Sequence, residues 1–158
     1  MEKDISAYTA EFFLSRGIDR VVFDLDNTVA SYDSPLPDEK AKAYIKHLQD
    51  AGIEVMLLSN NEKERVDIFN KNLRLFAVHK AKKPSPKGIK LCLSQSKNKG
   101  KAAFVGDQIF TDCLAARRAG LPCFLVEPIQ PKENLFFKLK RIGEKPFRRR
   151  YKRKAEIK

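Results

Sequence analysis

Arg20-Val21-Val22-Phe23-Asp24-Leu25-Asp26-Asn27-Thr28-Val29 runs from an apolar segment of strand composition into two carboxylates at i and i+2, followed two residues later by a hydroxyl. Along a strand, i and i+2 point to the same side. Asp24 and Asp26 therefore face one point, where the strand passes into a loop. Two acids so placed repel one another unless a divalent cation lies between them or they divide the chemistry as nucleophile and proton donor. The plainer alternative is a strand end closed by an Asp-Asn turn. The surroundings of the motif must decide.

Short apolar segments recur on the C-terminal side of this stretch. Residues 54–58 (Glu-Val-Met-Leu-Leu), about 75–79, 102–105 (Ala-Ala-Phe-Val) and 122–126 (Pro-Cys-Phe-Leu-Val) read as further strands after the first at 20–24. Between them lie helical patterns: Pro37-Asp38-Glu39 opens one that runs to about Ala51 and is closed by Gly52, and others cover 62–73, the segment through Leu91 and Leu93, and 110–119 before Gly120. At the N-terminus, Ile5, Tyr8, Phe12 and Phe13 sit near helical spacing, which predicts a helix over 3–16 stopped by Gly17. Five strands alternating with helices are the signature of βαβ units around a buried parallel sheet, in a three-layer α/β domain.

The composition, 42% hydrophobic and 33% charged, is that of an ordinary soluble domain, and 158 residues suffice for one core. No apolar run reaches bilayer-spanning length, and Met1-Glu2-Lys3-Asp4 opens no secretory signal, so a cytoplasmic location is expected. Cys92, Cys113 and Cys123 have neither disulfide nor zinc spacing and read as buried thiols. His47 and His79 lack a ligand neighbour at i+3 or i+4 and default to structural or surface roles. Of the net charge of +12, residues 138–158 supply nine, with eleven Lys or Arg against two acids. The chain thus divides into a core, 1–137, and a basic tail, 138–158. Residues 80–101 hold eight lysines and no acid. Such fields favour anionic partners.

In an open α/β sheet the ligand crevice lies outside the carboxyl ends of the strands. Polar residues gather there: Asp24 and Asp26 after the first strand, Ser59 and Asn60 after the second, Asp107 after the fourth. Each alone has a plain explanation. Ser59-Asn60 reads as a helix N-cap, Lys83-Pro84 is one lysine among eight, and Asp107 or Thr111 of Gly106-Asp107-Gln108-Ile109-Phe110-Thr111-Asp112 could be a cap. Their order and spacing together resemble the four motifs of the haloacid dehalogenase (HAD) superfamily, spread over residues 24–112.

The resemblance implies a Rossmann-like core with a five-stranded, mainly parallel sheet, and a catalytic set. Asp24 is then the nucleophile that forms an aspartyl phosphate. Asp26 protonates the leaving alkoxide and later deprotonates the hydrolytic water. Thr28, Ser59 and Asn60 donate to the phosphoryl oxygens, and Lys83 neutralises charge shared with Asp24. Mg²⁺ suits a site of carboxylates, carbonyl and water. By resemblance its ligands are the carboxylate of Asp24, the backbone carbonyl of Asp26, and Asp107; Asp112 binds it directly or orders its waters. An Asp at the position of Asp26 resembles the phosphatases and phosphomutases, which points to phosphoester hydrolysis. No interval is long enough for a cap domain, so the site is expected to stay open to a large substrate.

The tail bears on that substrate. Leu135, Phe136, Leu139 and Ile142 fall along one helical face, either as the last cover of the sheet or as part of a membrane-facing segment. Phe147-Arg148-Arg149-Arg150-Tyr151-Lys152-Arg153-Lys154 mixes aromatics with dense charge, as membrane-surface segments and RNA-binding arms do, with a merely solvated tail as the third reading. The sequence FDLDNTV, the run Ala81-Lys82-Lys83-Pro84-Ser85-Pro86, GDQIFTD, the missing cap and the basic end look like the YqeG branch of HAD subfamily IIIA. That branch is related to the phosphatidylglycerophosphate phosphatases of mitochondria. Val29, in place of a common Leu, is a mild departure. The implied substrate is phosphatidylglycerophosphate, met at the inner face of a membrane. The alternatives are another bulky phosphoester, a nucleic acid end or phosphoprotein, and an RNA-binding protein with an incidental HAD fold. The oligomeric state is left open.

Overall fold

A computed structural model of the chain describes residues 1–130. The amphipathic segment 134–142 and the basic tail 138–158 lie outside the described residues. Five strands, β1 (Ile18–Asp24), β2 (Glu54–Leu58), β3 (Phe76–Val78), β4 (Lys101–Gly106) and β5 (Cys123–Leu125), form one sheet in the order β3-β2-β1-β4-β5. Every pairing is parallel. The helices are α1 (Ala10–Leu14), α2 (Glu39–Asp50), α3 (Lys63–Asn70), α4 (Lys87–Gln95) and α5 (Leu114–Arg118).

The central stretches of the strands are apolar because both faces of the sheet are covered, and a two-residue period is hidden inside those runs. Val21, Phe23, Val55, Leu57, Ala103 and Val105 point into one layer, with Phe13 of α1, Ile45 and Leu48 of α2, and Val66 and Phe69 of α3. Val22, Met56, Leu58 and Phe104 point into the other, with Ile89 and Cys92 of α4 and Ala115 and Ala116 of α5. Phe23 and Phe104 are fully buried on opposite faces. Each contributes about 1.5–3 kcal/mol through burial.

The chain builds outward from β1 to β3, then returns to place β4 on the other side of β1. That reversal is the switch point, and β1 borders it. Register aligns Asp24 with Leu58, and Phe23 with Val105. The end of β1 therefore emerges between Ser59 and Asp107, each just past the end of its strand. α2 begins where Asp38 accepts a bond from the Ala41 N–H at 2.7 Å and ends at Gly52, which takes the left-handed φ of 84° that glycine allows. Among the described residues, only the loop 25–38 separates β1 from α2, and no cap domain is present.

Two elements differ from expectation. The helix expected over 3–16 is a 3-10 turn, Ile5–Ala7, followed by α1. Thr9 breaks it by accepting from the Phe12 N–H as an N-cap, while the Tyr8 hydroxyl is drawn to the Leu125 carbonyl at 2.8 Å. The helix expected over 110–119 opens as a π-turn, Ile109–Cys113, before α5. There the Cys113 N–H reaches back five residues to the Gln108 carbonyl at 3.2 Å.

Candidate active site

The loop after β1 folds back on itself. Asn27 adopts a left-handed φ of 66°, its N–H donates to the Ala30 carbonyl at 2.7 Å, and the Val29 and Ala30 N–H groups both bond the Leu25 carbonyl. An Asn tolerates that φ better than most residues. The coil returns Thr28 over the strand end, where its hydroxyl donates to Asp24 Oδ2 at 3.2 Å.

Lys83 reaches the other oxygen of the same carboxylate. Its Nζ pairs with Asp24 Oδ1 and lies 2.7 Å from Asp112 Oδ1. Asp112 is placed by the π-turn, and its second oxygen accepts from the Gln108 N–H at 3.0 Å. Gly106 makes room for it: a Cβ there would fall 2.5 Å from Asp112 Oδ2. Asp107 completes the group, so Asp24, Asp107 and Asp112, all buried, each offer an oxygen within 4.8 Å of the others.

These three carboxylates meet one buried ammonium. Burial raises the Asp24 pKa well above the ordinary carboxylate range; Lys83 opposes this, and the charges of Asp112 and Asp107 add to it. Burial by itself would lower the pKa of Lys83, but Asp112 and Asp24 outweigh it and raise it. The lysine is thus charged near neutral pH, and three carboxyl groups outnumber the one ammonium beside them. An all-oxygen donor set with such an excess fits a hard divalent cation. The structure brings Asp112 to this cluster beside Asp24 and Asp107.

Asp26 points elsewhere. Its Oδ2 accepts from Ser59 Oγ at 3.1 Å and from Asn61 Nδ2 at 3.4 Å, and its Oδ1 faces Arg65 Nη2 at 3.3 Å, an ion pair without an aligned hydrogen bond. Its side chain is 16% exposed, against 6% for Asp24. Ser59 is therefore engaged with Asp26. The Asn60 side chain is engaged with the backbone of Lys83: Oδ1 accepts from the Lys83 N–H at 2.7 Å, and Nδ2 donates to the Lys83 carbonyl at 3.3 Å. Sequence reasoning missed Asn61, Arg65 and Gln108. Arg65 lies within the helical pattern 62–73, and no local spacing ties it to residue 26.

The fold and this cluster define a class. A model of haloacid dehalogenase-like hydrolases matches residues 10–120, and the chain belongs to that family. It is similar to a "Probable phosphatase YqeG" of Bacillus subtilis (strain 168), 29% identical over 156 residues that cover 98% of this chain and 91% of that protein. No solved structure gives a significant match. The chain is an enzyme of this family, a phosphatase.

Proposed function

We propose that the enzyme is a Mg²⁺-dependent phosphomonoester hydrolase working through an aspartyl phosphate, and that its substrate is phosphatidylglycerophosphate, cleaved to phosphatidylglycerol at a membrane surface. The observation that carries the chemistry is the buried contact of Asp24 with Lys83, beside Asp107 and Asp112.

Asp24 attacks phosphorus through one carboxylate oxygen while Thr28 and Lys83 hold the group in place. The bond from phosphorus to the alkoxide breaks, and Asp26 gives the departing oxygen a proton. Asp26 then takes a proton from water, whose oxygen attacks phosphorus; inorganic phosphate leaves and the Asp24 carboxylate is restored. Lys83 offsets charge on the phosphoryl oxygens throughout, and Ser59 and Asn61 hold Asp26 at the edge of the site. In this reading Ser59 and Asn60 donate to the bound phosphoryl group once their present partners, Asp26 and the Lys83 backbone, yield. Asp24, Asp107 and the Asp26 carbonyl would hold Mg²⁺, with Asp112 binding it directly or ordering its waters, and the ion would supply the countercharge that lets a phosphate dianion approach.

Three features support a lipid. No cap covers the site among the described residues, so a headgroup at a surface can reach Asp24. Tyr32 and Leu36, in the loop after β1, and Ile129, whose N–H donates to the Asn27 carbonyl, are exposed apolar side chains at this end of the sheet. The basic segment 138–158 suits an anionic surface. No helix among the described residues is long and apolar enough to cross a membrane.

A panel at equal enzyme and Mg²⁺ concentration tests the substrate: phosphatidylglycerophosphate in anionic vesicles, a 5′-phosphorylated oligonucleotide and a phosphopeptide. Phosphate release is expected to be at least about tenfold faster from the lipid, roughly 1.4 kcal/mol in barrier. Preference for either other substrate overturns the lipid assignment. Removal of residues 146–158 should weaken activity on vesicles; full vesicle activity after truncation refutes the role of the tail.

A further inference from the structure

Cys113 and Cys123 look unrelated in the sequence, yet the fold brings them into contact. Cys113 ends the π-turn that carries Asp112, and Cys123 begins β5. Their sulfurs lie 2.6 Å apart, and neither is in a disulfide. Cys113 is half-buried, whereas Cys123 is 8% exposed. The third cysteine, Cys92, lies fully buried beneath α4 with its sulfur 3.9 Å from the Leu57 carbonyl. An oxidant from solvent therefore meets Cys113 first, one residue from an acid of the candidate active site.

We propose that Cys113 and Cys123 form a modification site, a thiol pair that takes up a peroxide and closes to a reversible disulfide, so that oxidation of Cys113 stops before the sulfinic stage. The Cys113 thiolate attacks one peroxide oxygen, the O–O bond breaks, and hydroxide leaves, giving a sulfenic acid and, on protonation, the first water. The Cys123 sulfur attacks the Cys113 sulfur, its proton joins the displaced hydroxide, and a second water leaves as the S–S bond forms. The two sulfurs together lose two electrons, and the peroxide gains them.

Contact between the sulfurs makes the second step intramolecular and short in reach, which is the property of a resolving cysteine. Without it, a sulfinic acid would fix a further negative charge beside Asp112, in a buried cluster already rich in carboxylates. Closure would tie the π-turn to β5, elements that already pack together. The pairing stands apart from the phosphatase reading, and masses rather than rates test it.

The full-length protein is treated with hydrogen peroxide, quenched, denatured, alkylated and measured by intact mass and tryptic mapping, with and without dithiothreitol. Arg117 and Arg118 lie between the two cysteines, so trypsin separates them unless a disulfide joins their peptides. The wild-type chain should lose about 2 Da before alkylation, keep one alkylatable thiol of three, yield a linked Cys113–Cys123 peptide pair, and regain all three thiols on reduction. Cys123→Ser and Cys123→Ala should instead collect two or three oxygens on Cys113 that dithiothreitol does not remove. A wild-type chain that gives sulfinic Cys113 with no linked pair, forms only intermolecular disulfides, or keeps all three thiols overturns the proposal. The wild-type map decides by itself if the variants do not fold.

Discussion

Arg65 Nη2 stands 3.3 Å from Asp26 Oδ1, while the same guanidinium donates to the Pro35 and Ser31 carbonyls at 3.1 and 3.4 Å. One side chain of α3 thus fixes both Asp26, the proposed proton-transfer acid, and the loop beside it. An alkyl phosphate needs a proton on its leaving oxygen, whereas p-nitrophenolate departs readily without one. Arg65→Ala should lower kcat on an alkyl phosphate by about 10²-fold and on p-nitrophenyl phosphate only a few-fold, with Arg65→Lys restoring part of the loss. Equal losses on both substrates would mean that Arg65 serves the fold and not Asp26.

Asn60 holds Lys83 by its main chain. Both polar groups of that backbone lose their partner in Asn60→Ala, on a residue only 8% exposed, which should cost about 1–3 kcal/mol in urea unfolding. Lys83 Nζ would also lose its fixed approach to Asp24, so kcat should fall alongside stability. Asn60→Asp keeps the acceptor for the Lys83 N–H and loses the donor to its carbonyl, and should lie between the two. Wild-type stability in Asn60→Ala would show that the contact contributes nothing.

The raised pKa of Asp24 sets a pH dependence in metal-free protein. Between the ordinary carboxylate value of about 4 and the higher folded value, the folded state binds more protons at Asp24 than the unfolded state does. Its contribution is therefore fully present below about pH 4 and is lost as pH rises through the folded value. In EDTA at pH 7, Asp24→Asn should melt above wild type, and the gap should close toward pH 4. Mg²⁺ should stabilise the wild type more than the variant. A gap independent of pH would contradict the electrostatic cause.

The layers and the buried acidic cluster are legible because they depend on local pattern. A run such as Val21-Val22-Phe23-Asp24 states its own strand, its two buried faces and its polar end, and Gly106-Asp107 repeats that statement at β4. What stayed hidden depends on register and on local rearrangement. Arg65 meets Asp26 across 39 positions, and Asn60 meets the backbone of Lys83 across 23, distances that no period encodes. Cys113 and Cys123 have no disulfide spacing in the sequence, yet the packing of the π-turn on β5 brings their sulfurs into contact. The π-turn adds a residue to one turn without disturbing the apolar spacing of Ala115 and Ala116, so a plain helix was the natural expectation. Thr9 had the composition of a cap, but the apolar spacing around it read as continuous helix.

Everything in the mechanism passes through Asp24. The most direct measurement is release of inorganic phosphate from p-nitrophenyl phosphate by wild type and Asp24→Asn, each with Mg²⁺ and with EDTA. The wild type should turn over with Mg²⁺ and stop in EDTA, and Asp24→Asn should lose about 10³-fold or more in kcat while still folding. An Asp24→Asn enzyme that keeps even a tenth of wild-type turnover, about 1.4 kcal/mol of barrier, would contradict the account.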